Sequence, residues 1–229
     1  TRLGVLDIGS NTIHMLIVDA APGARPDPEA STKSTVRLMQ YVKDDGSIKK
    51  SGIEAILTAV DQCMELAEEY DITQLLAMAT SAIKEAPNSN KILRKIEERI
   101  GQSVTVLSGT DEARLTFLAA DAFPKSKHPA HAVGTSKTFR SLARLAGAVL
   151  RQSGREDTWI MTREQLEDWI PRLAAIEPEQ RVALPGITPE RTMQIVGGGI
   201  VADEIMRSLN VHEVEICPWA LREGAILRW

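Results

Sequence analysis

Asp7-Ile8-Gly9-Ser10-Asn11-Thr12 sets an acid at the end of an apolar run, followed by glycine and three small polar residues. Such a turn can wrap backbone N–H groups and hydroxyls around a phosphate. The carboxylate of Asp7 can then hold a hydrated Mg²⁺ beside it. Glycine and asparagine are also ordinary hairpin-turn residues, so a purely structural turn accounts for the same pattern. Gly197-Gly198-Gly199 removes every β-carbon ahead of a predicted helix, which lets a ligand approach the backbone and the helix dipole. A tight strand-to-helix crossover explains it equally well. In Ser108-Gly109-Thr110-Asp111-Glu112, Asp111 fits a capping box with Ser108. Glu112 can serve the helix dipole in the same way, or it can orient an attacking water. Thr80-Ser81 offers two hydroxyls that either meet phosphate oxygens or cap a helix.

Other patterns carry less chemistry. His128 and His131 flank Pro129 in a linker, a poor setting for a metal site. Gly134-Thr135-Ser136-Lys137-Thr138 lacks the first glycine of a Walker loop. Cys217 precedes Pro218 in an apolar setting and reads as buried rather than reactive.

The elements that must position these residues follow from hydrophobic periodicity. Two apolar runs, 4–8 and 13–19, flank the Gly9–Thr12 turn as a hairpin. Residues 20–31 hold three prolines and a glycine and read as a loop, with a third strand predicted within 34–42. Helical spacing of Ile53, Ile56, Leu57, Val60 and Met64 predicts a helix over 50–69. A strand at 75–79, a helix at 89–100, a strand at 104–107 and a helix opened by Ser108 complete an α/β unit over 1–123. Over 124–229, helices are predicted at 136–151, 162–175, 178–184 and 201–209, with strands at 194–196 and 214–216.

Composition narrows the classes. The 229 residues, 43% hydrophobic and 25% charged, exclude wholesale disorder. No apolar run approaches the roughly 18 residues of a membrane span. Two cysteines and a start without a signal-peptide pattern predict a cytoplasmic protein. A net charge of −4 argues against general nucleic-acid binding. Residues 124–155 nevertheless carry seven cations and no acid. Lys137, Arg140 and Arg144 within them form either a solvated face or a track for a long polyanion.

In this order, residues 4–16, 79–86, 107–118 and 197–227 resemble the Ppx/GppA family of exopolyphosphatases and guanosine pentaphosphate phosphohydrolases. The Asp7–Thr12 loop and Ser108–Leu115 are the most specific parts, and Ile216-Cys217-Pro218-Trp219-Ala220-Leu221-Arg222-Glu223-Gly224 is similar to the family's closing motif. The resemblance implies an α/β, actin-like, two-lobed ribonuclease H-like fold, with lobes at 1–123 and 124–229. By the same resemblance Asp7 is the metal-associated acid, Glu112 the catalytic glutamate, and Gly9, Ser10, Asn11 and Thr12 the first phosphate loop. Thr80 and Ser81 then line the cleft, and Gly197, Gly198 and Gly199 form another glycine-rich loop. Lys84 stands where the family commonly has Arg and offers a cation without a bidentate fork. The family's Asp-x-Gly-Gly-Gly-Ser loop is absent, since Phe123 runs directly into Pro124-Lys125-Ser126-Lys127. The second lobe is therefore expected to lack its opening strands. The expected activity is Mg²⁺-assisted attack of water on the terminal phosphate of inorganic polyphosphate. Alternatives are removal of the 5′-phosphate of guanosine pentaphosphate, or binding of polyphosphate or an alarmone without catalysis. No membrane or nucleic-acid partner is expected, and a homodimer is compatible with the resemblance.

Overall fold

The computed structural model describes residues 1–123, 132–147, 149–153 and 156–229. They divide into two compact units, Thr1–Leu115 with Leu221–Trp229, and Thr116–Ala220. In the first, β1 (Arg2–Ile8) and β2 (Thr12–Asp19) form the predicted hairpin, with Ile8 opposite Ile13 and Asp7 opposite His14. β3 (Ala30–Thr35) pairs antiparallel with β2. It starts and ends earlier than the strand expected within 34–42. Arg37 takes a left-handed φ of 50° and turns the chain into a 3-10 segment at Leu38–Tyr41. All six β3 residues are small or polar, so no apolar alternation marks the strand.

α1 (Lys50–Glu69) covers the span that its periodicity predicts. β4 (Gln74–Ala79) runs parallel to β1, with Ile8 opposite Ala79. α2 (Ser81–Lys84), α3 (Ser89–Ile100), β5 (Thr105–Val106) and α4 (Gly109–Ala122) follow. The sheet order is β3-β2-β1-β4-β5. Strand side chains alternate between faces, and both faces here are apolar. Leu6, Ile8, Ile13 and Met15 pack with Ile56, Val60 and Cys63 of α1 and Ile92 and Ile96 of α3. The opposite face buries Leu3, Val5, Leu16, Val18 and Met78. Removal from water contributes roughly 1.5–3 kcal/mol for each large aliphatic side chain.

The second unit contains β6 (Val133–Gly134), α5 (Lys137–Leu145), β7 (Val149–Ser153), β8 (Glu156–Thr162), α6 (Arg163–Ala175), α7 (Ile195–Ser208) and β9 (Glu213–Ile216). Its sheet order is β6-β9-β8-β7. Three expectations are corrected. The helix predicted over 136–151 stops at Leu145, because Gly147 takes a φ of +66° just beyond the C-cap. The chain then forms the β7–β8 hairpin, where no strand was expected. Residues 194–196 are not a strand. Ile195, Gly199, Ala202 and Met206 share a buried stripe at helical spacing, so the helix begins at Ile195 and runs through the glycines. The helix expected at 178–184 is a single 3-10 turn, Gln180–Ala183. The core joins Leu142 and Leu145 of α5, Leu166 and Leu173 of α6, and Met206 of α7 to Ile216. Lys125, Lys127, His128, His131 and Arg155 lie outside the described residues. The last helix, α8 (Leu221–Arg228), belongs to the first unit and contributes Ala225 and Ile226 to the core beneath Leu3 and Val5.

Candidate active site

β1, β4 and β5 are parallel, and their carboxyl ends lie side by side. Ligands of open α/β sheets gather at that edge. Each strand there runs into one of the segments singled out by sequence: β1 into Gly9–Thr12, β4 into Thr80-Ser81, and β5 into Ser108–Glu112. Backbone bonds tie the ends together. The Thr80 N–H donates to Ile8 O at 3.1 Å, and the Leu107 N–H donates to Ala79 O at 2.9 Å.

The Gly9–Thr12 turn is closed by the Gly9 N–H donating to Thr12 O at 3.0 Å. Its carbonyls are held from outside, since Ser10 O accepts from Leu38 and Asn11 O from Val36 and Arg37. Among the described residues, the N–H groups of Ser10 and Asn11 donate no backbone hydrogen bond. A turn whose carbonyls are fixed and whose amides have no backbone acceptor among the described residues is suited to an anion.

Asp7 projects to the Leu3/Val5 face of β1, where α4 and α8 pack. Its Oδ1 is inaccessible and lacks a hydrogen-bond partner among the described residues. Burial pushes its carboxyl up to about 6; Arg222 opposes this, while the negative charges of Glu112 and Glu223 add to it. Glu112 lies in the first turn of α4, with its N–H donating to Ser108 O at 2.9 Å. The predicted capping box is present: the Asp111 N–H donates to Ser108 Oγ at 3.1 Å, and the Ser108 hydroxyl donates to Asp111 Oδ2 at 2.6 Å. Hydrogen bonds from Ser108 hold the Asp111 carboxyl below the usual carboxylate range. Asp111 is thus committed to the cap, whereas the charge of Glu112 falls on Asp7. Lys84 ends α2 as an exposed side chain.

Among the described residues, no group of three or more His, Cys, Asp or Glu is arranged to hold a metal alone. Mg²⁺ usually takes one or two protein carboxylates and fills its shell with water and phosphate oxygens. A single buried carboxylate with an orphaned Oδ1, Asp7, is compatible with that mode.

The second unit groups other residues. Gly197, Gly198 and Gly199 lie within the first turns of α7 rather than in a loop. An α-helix leaves only its first four N–H groups without helical partners. Here these belong to Ile195, Val196, Gly197 and Gln194, of which the Gln194 N–H already donates to Arg191 O at 3.0 Å, while the Gly198 N–H donates to Gln194 O. A β-carbon on Gly198 would come within 2.6 Å of the Thr138 methyl, and one on Gly199 within 3.2 Å of Ile170, so both serve close packing of α7. Lys137, Arg140 and Arg144 recur at i, i+3 and i+7 on α5, and hence on one face. Arg140 donates to Pro218 O at 3.4 Å and keeps a buried Nε without a partner among the described residues. Arg191 donates to Thr138 Oγ1 at 3.2 Å; burial, and then the charge of Arg140, hold its pKa below the ordinary value.

Arg222, Glu223, Arg191 and Thr138 are the functional candidates that sequence reasoning missed. The first two sit inside the closing motif already noted, whereas nothing in the spacing of Thr138 and Arg191 brings them together. Both cysteines are buried, and burial pushes the Cys63 thiol up to about 12, which leaves it unreactive. No helix among the described residues is long and apolar enough to cross a membrane.

The model of the Ppx/GppA phosphatase family matches residues 16–129 and 119–229. Exopolyphosphatase 1 of Mycobacterium tuberculosis is 33% identical over 301 aligned residues, covering 99% of this chain and 88% of that protein. Exopolyphosphatase 1 of Mycobacterium leprae is likewise 33% identical, with 89% of it covered. At least 72 of the 301 positions (301 less 229) have no counterpart here. The two family matches meet at 119–129, where the sequence lacks the family's second glycine-rich loop. Among solved structures, a Ppx/GppA family member from Aquifex aeolicus superposes with a TM-score of 0.79 at 18% identity, covering 100% of this chain and 97% of that one. An exopolyphosphatase from Cytophaga hutchinsonii gives 0.82 at 18% identity, covering 98% and 96%. These likenesses give the chain the α/β, actin-like fold that the resemblance implied. With family matches running from residue 16 to the last residue, and a 33% identical relative over nearly the whole chain, the chain belongs to the Ppx/GppA phosphatase family.

Proposed function

We propose that this chain is an exopolyphosphatase that removes terminal phosphates from inorganic polyphosphate by direct attack of water. The observation that carries this reading is the convergence of Asp7, the Gly9–Thr12 turn, Thr80 and Glu112 at the carboxyl edge of β1, β4 and β5. The amides of Ser10 and Asn11 and the Thr80 hydroxyl bind the terminal phosphoryl oxygens and take up charge as it develops. Glu112 orients the attacking water and accepts its proton. The water oxygen bonds to the terminal phosphorus as the bond to the bridging oxygen breaks, releasing orthophosphate and a polymer one unit shorter. Asp7 would hold Mg²⁺, which would supply further charge neutralisation when bound. The cations on α5, with Arg191, suit a repeating anion better than a single nucleotide.

The test is orthophosphate release in the presence of Mg²⁺, with long polyphosphate, short polyphosphate and guanosine pentaphosphate compared at equal concentrations of phosphate ends. The expected order places long polyphosphate first. Faster release from guanosine pentaphosphate replaces the polymer with the nucleotide as substrate. Tight binding of polyphosphate without release makes the chain a binding protein instead.

A further inference from the structure

Glycine weakens a helix interior relative to alanine, yet Gly224 sits in the middle of α8 and is buried there. A β-carbon at this position would lie 1.8 Å from the carbonyl oxygen of Leu115 and 2.5 Å from its carbonyl carbon. Both are backbone atoms of α4, so no side-chain rotation makes room. By comparison, a β-carbon on Gly186 would meet Ser141 O at 3.0 Å, and one on Gly9 would meet Thr12 O at 3.1 Å. Leu115 stands three residues after Glu112, about one helical turn along the same face. Leu115, Ala225 and Ile226 share one apolar cluster with Leu3, Val5 and Met78, the floor beneath Asp7. α8 therefore rests on the strand that carries Asp7 and, through Gly224, directly on the backbone of the helix that carries Glu112. Its first turn also bears Arg222 and Glu223, whose charges reach Asp7.

We propose that Gly224 is a positioning residue of the hydrolytic site: the close approach of α8 to the Leu115 peptide sets where Glu112 stands relative to Asp7. The proposal rests on the reading of Glu112 as the group that activates water. A side chain at 224 forces α4 and α8 apart by roughly 1.5–2 Å, the difference between 1.8 Å and an ordinary contact. Glu112 moves with α4, while the Gly9–Thr12 turn lies on another element and keeps its place.

The test is Gly224→Ala in the full chain, assayed for orthophosphate release from long polyphosphate and, separately, for equilibrium binding of the polymer. A misplacement of about 1 Å near the reacting groups lowers kcat about a hundredfold, and binding is expected to stay within about threefold of the parent protein. Ile56→Val is the control, because it trims the core on the opposite face of the sheet and leaves the α8–α4 contact alone. Its kcat per folded molecule should match the parent. A Gly224→Ala protein with kcat within twofold of the parent overturns the proposal, and so does an equal loss in Ile56→Val. Should Gly224→Ala not fold, Ile226→Ala loosens the seat of α8 without adding a clash. Amides 112–118 should then exchange hydrogen at least about tenfold faster in that variant, and unchanged exchange in α4 contradicts the proposal. A parent protein that releases no phosphate from any substrate sinks the hydrolase reading itself, and the exchange measurement then decides the α8–α4 contact alone.

Discussion

Asp7 is costly to the fold where it stands. Its carboxyl titrates near 6 because burial disfavours the charged form. Between its ordinary value of 3.8 and about 6, the folded chain keeps a proton that the unfolded chain releases. Stability therefore falls as pH rises through this window, and at neutral pH the ionised group costs roughly 3 kcal/mol. Asp7→Asn should raise the thermal midpoint at pH 8 by several degrees, with the gain shrinking to nothing near pH 4, while phosphate release is lost. Thermal unfolding at both pH values checks this; a lower midpoint at pH 8 contradicts it. A destabilising charge retained at the end of a buried strand is what a functional site is expected to show. Asp7, the Gly9–Thr12 turn and Glu112 were legible in the sequence because each sits in a short contiguous pattern. Arg222 and Glu223 reach Asp7 only through the packing of α8 on β1, which no local spacing encodes.

At the scale of elements, amphipathic period decided what could be read. α1 and α3 bury one stripe each and stood where the pattern placed them. β3 has no apolar side of its own, so only its pairing with β2 makes it a strand. α7 begins earlier than expected because three glycines read as a loop, although they allow α7 to pack tightly against Thr138 and Ile170. The one-sided α5 helix carries the proposed polymer path. Arg144 is exposed on the same face as Lys137 and Arg140. Arg144→Gln should weaken binding of long polyphosphate a few-fold and lower the salt dependence by about one ion. Turnover at saturating polymer should not change. Titrations of polyphosphate binding between low and moderate salt test this, and an unaltered slope removes Arg144 from the polymer's path.

Over the whole chain, family membership was legible because its specific motifs lie near both termini and survive the loss of an internal stretch. The shortening was legible too, as an abrupt passage from Phe123 to Pro124, and at least 72 unmatched positions in the mycobacterial relative agree with it (301 less 229). The return of the last helix to the first unit was not legible, because a boundary drawn along the sequence cannot show that residues 221–229 pack beneath β1. That return makes Arg222, Glu223 and Gly224 parts of the same unit as Asp7 and Glu112. The account stands on the assignment of Glu112 as the group that activates water. The most direct measurement is orthophosphate release from long polyphosphate by Glu112→Gln, alongside polymer binding by the same protein. The prediction is release lowered by at least about a thousandfold with binding within a few-fold of the parent. Turnover equal to the parent would contradict it.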